Sequence, residues 1–146
     1  MDTESNEIGP PGIVGVREAS FRKYDKYLHS EITQRIIGCA IEVHKVLGPG
    51  FKESAYENAL LVEFDKKKLR YEHQKPVAIS YKDTKVGLYR MDLLVEEKII
   101  VELKAVKSIN IEDRRRLLSY LKATDKKVGL IINFAKPIIE IKRLVL

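Results

Sequence analysis

The chain has 146 residues, a single cysteine, a formal charge of +6 and a sequence pI of about 9.3. This length is most simply one domain with a core large enough to stand without disulfides, and the lone Cys39 excludes an intramolecular one. With no apolar run long enough to cross a bilayer and no signal-peptide core at the N-terminus, the expectation is a soluble protein of the reducing cytoplasm, and its basic balance favours anionic partners such as nucleic acid.

Met1 to about Lys26 carries Gly9-Pro10-Pro11-Gly12 and mixed charge without sustained periodicity. This predicts an irregular or partly disordered tail over 1–28, anchored near its end by Tyr24 and Tyr27, ahead of one domain over 29–146. Ser30 is the expected cap of a helix from Glu31 to about Leu47, with Ile32, Ile36, Ala40, Val43 and Leu47 as its apolar stripe. Cys39, among Ile36, Ile37, Ala40 and Ile41, reads as a small packed residue rather than a reactive thiol. Gly48-Pro49-Gly50 stops the helix. His44 near that stop either hydrogen-bonds to a site or substrate, or binds a backbone carbonyl at the helix end.

A second helix is predicted from about Lys52 to Leu69, packing Tyr56, Ala59, Leu60 and Phe64. Its first turn carries Glu53, which either complements the positive helix end or serves a site. Glu57, one turn further along, is either a supporting or a structural acid. Tyr71 to Tyr81 alternates as a strand, with Pro76 limiting its early part and Lys82-Asp83-Thr84 as a turn. Strands at about Lys85 to Val95 and Ile99 to Val106 complete an antiparallel meander. A helix from about Glu112 to Ala123 precedes Val128 to Asn133, a short apolar strand suited to a sheet interior. After Pro137 comes Ile138 to Leu146, whose type the pattern leaves open.

Asp92-Leu-Leu-Val-Glu-Glu-Lys-Ile-Ile-Val-Glu102-Leu103-Lys104 places charge where apolar strands should carry none. Side chains alternate faces, so Glu102 and Lys104 project together. A tip with an odd number of residues puts Asp92 opposite Glu102 on that face, whereas an even one separates them. Two close carboxylates repel and raise each other's proton affinity unless a cation lies between them, and oxygen-only ligands favour Mg²⁺ or Mn²⁺. A lysine beside such an ion orients or deprotonates a water and offsets charge on a phosphate. The competing reading is a surface hairpin with solvated ion pairs. The basic clusters Lys66-Lys67-Lys68 with Arg70, Arg114-Arg115-Arg116 and Lys126-Lys127 either converge on a phosphate backbone or are solvated helix ends.

Gly50-Phe-Lys-Glu53-Ser-Ala-Tyr56 followed by Glu57-Asn58-Ala59-Leu60 resembles the GxxExxY family, a branch of the PD-(D/E)XK nuclease superfamily. The likeness runs from about Ile32 to Phe134. It takes in Glu42-Val-His44-Lys-Val-Leu-Gly48-Pro-Gly50, Tyr89-Arg90-Met91-Asp92, Val101-Glu102-Leu103-Lys104-Ala105 and Leu118-Ser-Tyr120-Leu-Lys-Ala123. The resemblance implies an α/β, restriction-endonuclease-like fold, a central mixed β-sheet flanked by α-helices. It implies that Asp92 and Glu102 are metal-binding acids, that Glu53 completes the acidic cluster, and that Lys104 is the active-site lysine. His44, Arg116 and Tyr120 are then the expected substrate-binding residues. RecB-like relatives carry Gln four residues before the helix tyrosine, where Arg116 stands here. An arginine grips a phosphate by a bidentate contact but accepts no hydrogen bond. The implied activity is metal-dependent hydrolysis of phosphodiester bonds, with DNA as the preferred substrate, no membrane association, and a homodimer allowed by analogy with the superfamily. The alternatives are a non-catalytic nucleic-acid-binding module and a protein-interaction module on a nuclease scaffold.

Overall fold

The computed structural model describes residues 28–146, and the tail expected over 1–28, with Tyr24 and Tyr27, lies outside them except for Leu28. Helix α1 (Ser30–Leu47) buries Thr33, Ile36, Cys39, Ala40 and Val43, a stripe at helical spacing. The expected Ser30 cap is not made. His29 holds the cap position in the left-handed region without a side-chain bond, and the Thr33 hydroxyl donates back to the Ser30 carbonyl at 3.1 Å. Cys39 is buried, and that burial pushes its thiol pKa up, as a packed core residue requires.

Helix α2 (Glu53–Lys66) ends earlier than its apolar pattern implies. Lys68 turns the chain at φ 59, and the Leu69 amide donates to the Phe64 carbonyl at 2.9 Å, a helix stop in which lysine stands where glycine is usual. The stop places Leu69 in the core beneath α2.

Five strands follow in the spatial order of their sequence: β1 (Tyr71–Tyr81), β2 (Thr84–Val95), β3 (Ile99–Lys104), β4 (Val128–Asn133) and β5 (Glu140–Val145). The first three form the antiparallel meander, β4 runs parallel to β3, and β5 returns antiparallel to β4. A parallel step needs a crossover, here helix α3 (Ile111–Thr124). Every residue of β4 is buried, as befits a strand covered on both faces. The segment of open type after Pro137 is therefore largely edge strand β5. At the β1–β2 turn Lys82 and Asp83 both take positive φ, 49° and 66°, the two-residue hairpin geometry that matches strand twist.

The sheet separates two apolar layers. Ile36, Tyr56, Phe64, Leu93, Leu103 and Phe134 fill the α1/α2 side, and Met91, Leu94, Ile100, Leu117, Leu121 and Ile131 fill the α3 side.

The glycines and tyrosine of the Gly50–Tyr56 segment have a structural task. Gly48 and Gly50 take φ 71° and 113°, open to glycine at little cost. The buried Tyr56 hydroxyl donates to the Gly48 carbonyl at 2.5 Å and accepts from the Phe51 amide at 3.1 Å, while its ring stacks on Phe134 at 4.5 Å. Tyr56 thus clamps the turn that launches α2 and fixes where Glu53 begins. Tyr56→Phe keeps the stacking and strands both backbone groups, so chemical denaturation is expected to show a loss of about 1–3 kcal/mol. An unchanged denaturation midpoint would reject the clamp.

Candidate active site

Leu93 pairs with Val101, Leu94 with Ile100 and Val95 with Ile99, leaving the three residues Glu96, Glu97 and Lys98 as the tip. The tip is odd, and continuing this register sets Asp92 opposite Glu102. There the side chains replace the ladder. The Leu103 amide donates to Asp92 Oδ2 at 2.8 Å, and the Asp92 amide donates to Glu102 Oε2 at 3.3 Å. Glu96 takes no part, because Arg70 holds it at 3.0 Å.

Ile100 lies in the α3-side core, so Glu102 and Lys104, two and four residues on, share the face that α3 covers. Lys104 Nζ sits 3.2 Å from Asp113 Oδ1, and the same oxygen receives Arg116 Nη2 at 3.0 Å. Asp113 was not singled out from the sequence, although the spacing Asn110-x-x-Asp113 carries the signal. Its Oδ2 accepts from the Asn110 amide at 3.0 Å, and Asn110 Oδ1 accepts from the Asp113 amide at 2.9 Å, a reciprocal helix cap. The cap starts α3 before Glu112 and aims the other Asp113 oxygen at the sheet. One carboxylate therefore couples the start of α3 to the strand lysine.

Behind Lys104, the fully buried Asn133 ends β3. Its side chain accepts from the Val106 amide at 3.0 Å and donates to the Val106 carbonyl at 2.8 Å. These bonds take the chain out of the sheet at Lys104, two residues before the predicted strand end at Val106.

The electrostatics are those of crowded acids. Burial first, and Asp92 second, push the Glu102 carboxyl up to about 8. Burial also raises Asp92, opposed by the Leu103 amide. Desolvation works against ionised Asp113, but the Asn110 amide and Lys104 outweigh it and hold Asp113 below the usual carboxylate range.

Glu53 stands at the exposed rim of this group. Partial desolvation first, and the charge of Asp92 second, raise its carboxyl, while Lys104 and Arg116 oppose the rise. Of the three expected metal acids, Asp92 acts by its charge on both Glu53 and Glu102. Among the described residues no three His, Cys, Asp or Glu side chains are grouped to hold an ion. One oxygen of Asp92 and one of Glu102 face strand amides, and Glu53 is exposed at the rim. What remains is a carboxylate pair. Its donors are hard oxygens and its buried member favours proton uptake, so the pair fits a hard divalent cation, which would relieve the same repulsion.

Glu57, left open from sequence, is half-buried and accepts from Gln74 Nε2 at 3.1 and 3.2 Å, and its charge raises Asp92. Gln74 falls between the pairs His73–Leu93 and Lys75–Met91, across from Asp92, at φ 54. Sequence reasoning missed it, since nothing in a strand pattern marks a residue that leaves the ladder. His44 Nε2 lies 2.8 Å from the Lys136 carbonyl and its ring lies 6.3 Å from that of Phe134, the helix-end arrangement rather than a contact with the acids. Tyr120 packs in the α3-side core, with its hydroxyl raised by burial and by the charge of Glu102.

The model of the PD-(D/E)XK nuclease superfamily matches residues 30–144. This chain belongs to that superfamily, and its five-stranded mixed sheet flanked by helices is the restriction-endonuclease-like fold. Members of the superfamily are usually nucleases and generally use divalent metals such as Mg²⁺. No curated protein matches the chain. The crystal structure of SSO0001 aligns with 83% of this chain and 60% of its own at 16% identity, with a TM-score of 0.49. This chain thus spans 60% of that protein's length. Among the described residues no helix is long and apolar enough to cross a membrane.

Proposed function

We propose that this chain is a divalent-metal-dependent nuclease that hydrolyses phosphodiester bonds, with DNA as its preferred substrate. The observation that carries this reading is the buried Glu102 beside Asp92, with Lys104 on the same strand face and anchored to α3 through Asp113. Asp92 and Glu102 would hold Mg²⁺ or Mn²⁺, and Glu53 would contribute through water from the rim. Such an ion supplies water activation and neutralises charge on the scissile phosphate. Lys104 Nζ orients the attacking water and offsets charge that develops on phosphate oxygen. Arg116, 42% exposed, offers its guanidinium to a neighbouring phosphate. Tyr120 positions Lys104 or a substrate oxygen, and His44 acts at one remove by tying α1 to the Lys136 carbonyl between β4 and β5. Membership of the GxxExxY branch, a cytoplasmic setting and a homodimer belong to the same proposal.

The formal charge of +6 suits one rival equally well, a module that binds nucleic acid without cutting it. Cleavage of single-stranded, duplex and branched DNA and RNA, with and without Mg²⁺ or Mn²⁺ and with an Asp92→Ala control, separates the two. Binding without turnover in either metal supports the rival.

Two further substitutions divide chemistry from binding. Lys104→Ala is expected to slow single-turnover cleavage roughly 100- to 1,000-fold with little change in substrate affinity. Arg116→Ala is expected to weaken binding across sequences and to lower the salt slope by about 1, because a phosphate contact carries charge but little base information. If Arg116→Ala leaves binding, salt slope and cleavage unchanged, the arginine serves only its ion pair with Asp113.

A further inference from the structure

The β1–β2 hairpin outruns the rest of the sheet. β2 pairs with β3 only from Leu93 onward, whereas β1 and β2 stay paired out to Tyr81 and Thr84. The free arm exposes large side chains that a solvated hairpin does not need, among them Tyr81, Val86, Leu88 and Tyr89. Tyr89 is the one turned toward α3. Its ring lies 6.4 Å from that of Tyr120 and tilted by 37°, so the two rings meet at an angle, and Tyr89 remains 55% exposed.

These two tyrosines, with Ile79, Arg116 and Ser119, line a groove of about 400 Å³. A second hollow of about 510 Å³ continues it along α3 through Ile79 and Ser119 to Ser80 and Lys122. Both volumes fall in the range of ligand sites. The groove borders the site through Arg116, which lines it and shares Asp113 Oδ1 with Lys104, at 3.0 and 3.2 Å. Tyr120 in turn feels the charges of Glu102 and Asp92. An aromatic floor, a guanidinium toward the acids and a lysine at the far end make a chemical pattern of flat apolar ligand flanked by anions.

From this arrangement we infer that the Tyr89–Tyr120 groove is a stacking subsite for an unpaired nucleobase next to the phosphate held at the acidic pair, which makes single-stranded nucleic acid the substrate class. The inference rests on the nuclease reading for the position of that phosphate. Within a duplex each base face is covered by its neighbours, so only an unstacked base can lie on Tyr89. Stacking tolerates any base, and the polar groups of the lining are Arg116, Ser119 and the two tyrosine hydroxyls. Arg116 and Lys122 supply the charge that a backbone entering and leaving the groove requires.

The test is binding of the full chain, without divalent metal, to three fluorescein-labelled probes of equal length: oligothymidine, an abasic strand with the same phosphates, and a blunt duplex. Oligothymidine is expected to bind about tenfold or more tighter than the abasic strand, and Tyr89→Ala to reduce it to the abasic level, with Tyr89→Phe retaining affinity. Because the chain contains no tryptophan, Tyr89→Trp provides a single reporter. Its emission should be quenched by oligothymidine and unaffected by the abasic strand. Equal affinity for oligothymidine and the abasic strand, or unchanged oligothymidine binding by Tyr89→Ala, overturns the subsite. Metal-dependent cleavage surviving in that case leaves the nuclease reading standing. Stacking without cleavage in any metal removes the nuclease reading and keeps the subsite.

Discussion

Asp92→Asn is expected to lose cleavage by roughly a thousandfold or more while leaving the protein folded. The choice of asparagine follows from the hydrogen bonds. The Leu103 amide donates to Asp92 Oδ2 at 2.8 Å, so alanine would strand a strand amide, whereas an amide side chain keeps an acceptor there. What asparagine removes is charge. A carboxylate pair reduced to one member binds a divalent cation weakly, and calorimetric titration with Mn²⁺ should show that loss alongside the loss of turnover. The substitution also relieves the repulsion that raises Glu102, so thermal stability without metal should hold or improve. Undiminished cleavage by purified Asp92→Asn or Asp92→Ala would assign the activity to another site or to a contaminant.

What the sequence disclosed and what it withheld divide along physical lines. Periodicity and breakers carried the architecture: Val128–Asn133 reads as a strand of the sheet interior because it is apolar up to its final Asn133, and the structure buries all of it. Strand alternation carried the pairing of Glu102 with Lys104 but made the register of Asp92 conditional on the tip length, which the pairing of Val95 with Ile99 sets at three residues. Asp113 was hidden because its charge looks like any acid in a first helical turn, and its second task depends on where α3 meets β3. Gln74 was hidden because a strand pattern predicts continuity, while its positive φ breaks the ladder opposite Asp92. Glu53 shows the reverse limit. Motif spacing names it, but its distance from the acid pair is fixed by the turn that Tyr56 clamps, a tertiary contact with Phe134 that no local pattern encodes.

Glu102→Gln is expected to stabilise the metal-free protein in a manner that grows with pH. Glu102 in the fold takes up its proton at about 8, against an ordinary value of 4.5, because burial and Asp92 both disfavour its charge. For a raised carboxyl the stabilising contribution is fully present below the unfolded value and is lost as pH rises through the folded one. The wild type should therefore lose stability across pH 4.5 to 8, at up to about 1.4 kcal/mol per pH unit. Glutamine mimics the protonated acid and keeps an oxygen for the Asp92 amide, so the variant escapes that loss. Asp113 is depressed instead, and its contribution is lost only on acidification toward and below the usual carboxylate range, outside this window. The melting temperatures of wild type and Glu102→Gln should coincide near pH 4.5 and diverge to a plateau above 8. Saturating Mn²⁺ should then close the gap from the wild-type side, since a cation between the carboxylates takes the place of the proton. A difference that stays constant with pH, or a gap indifferent to Mn²⁺, would show that Glu102 carries no buried charge conflict and that the pair is not a cation site.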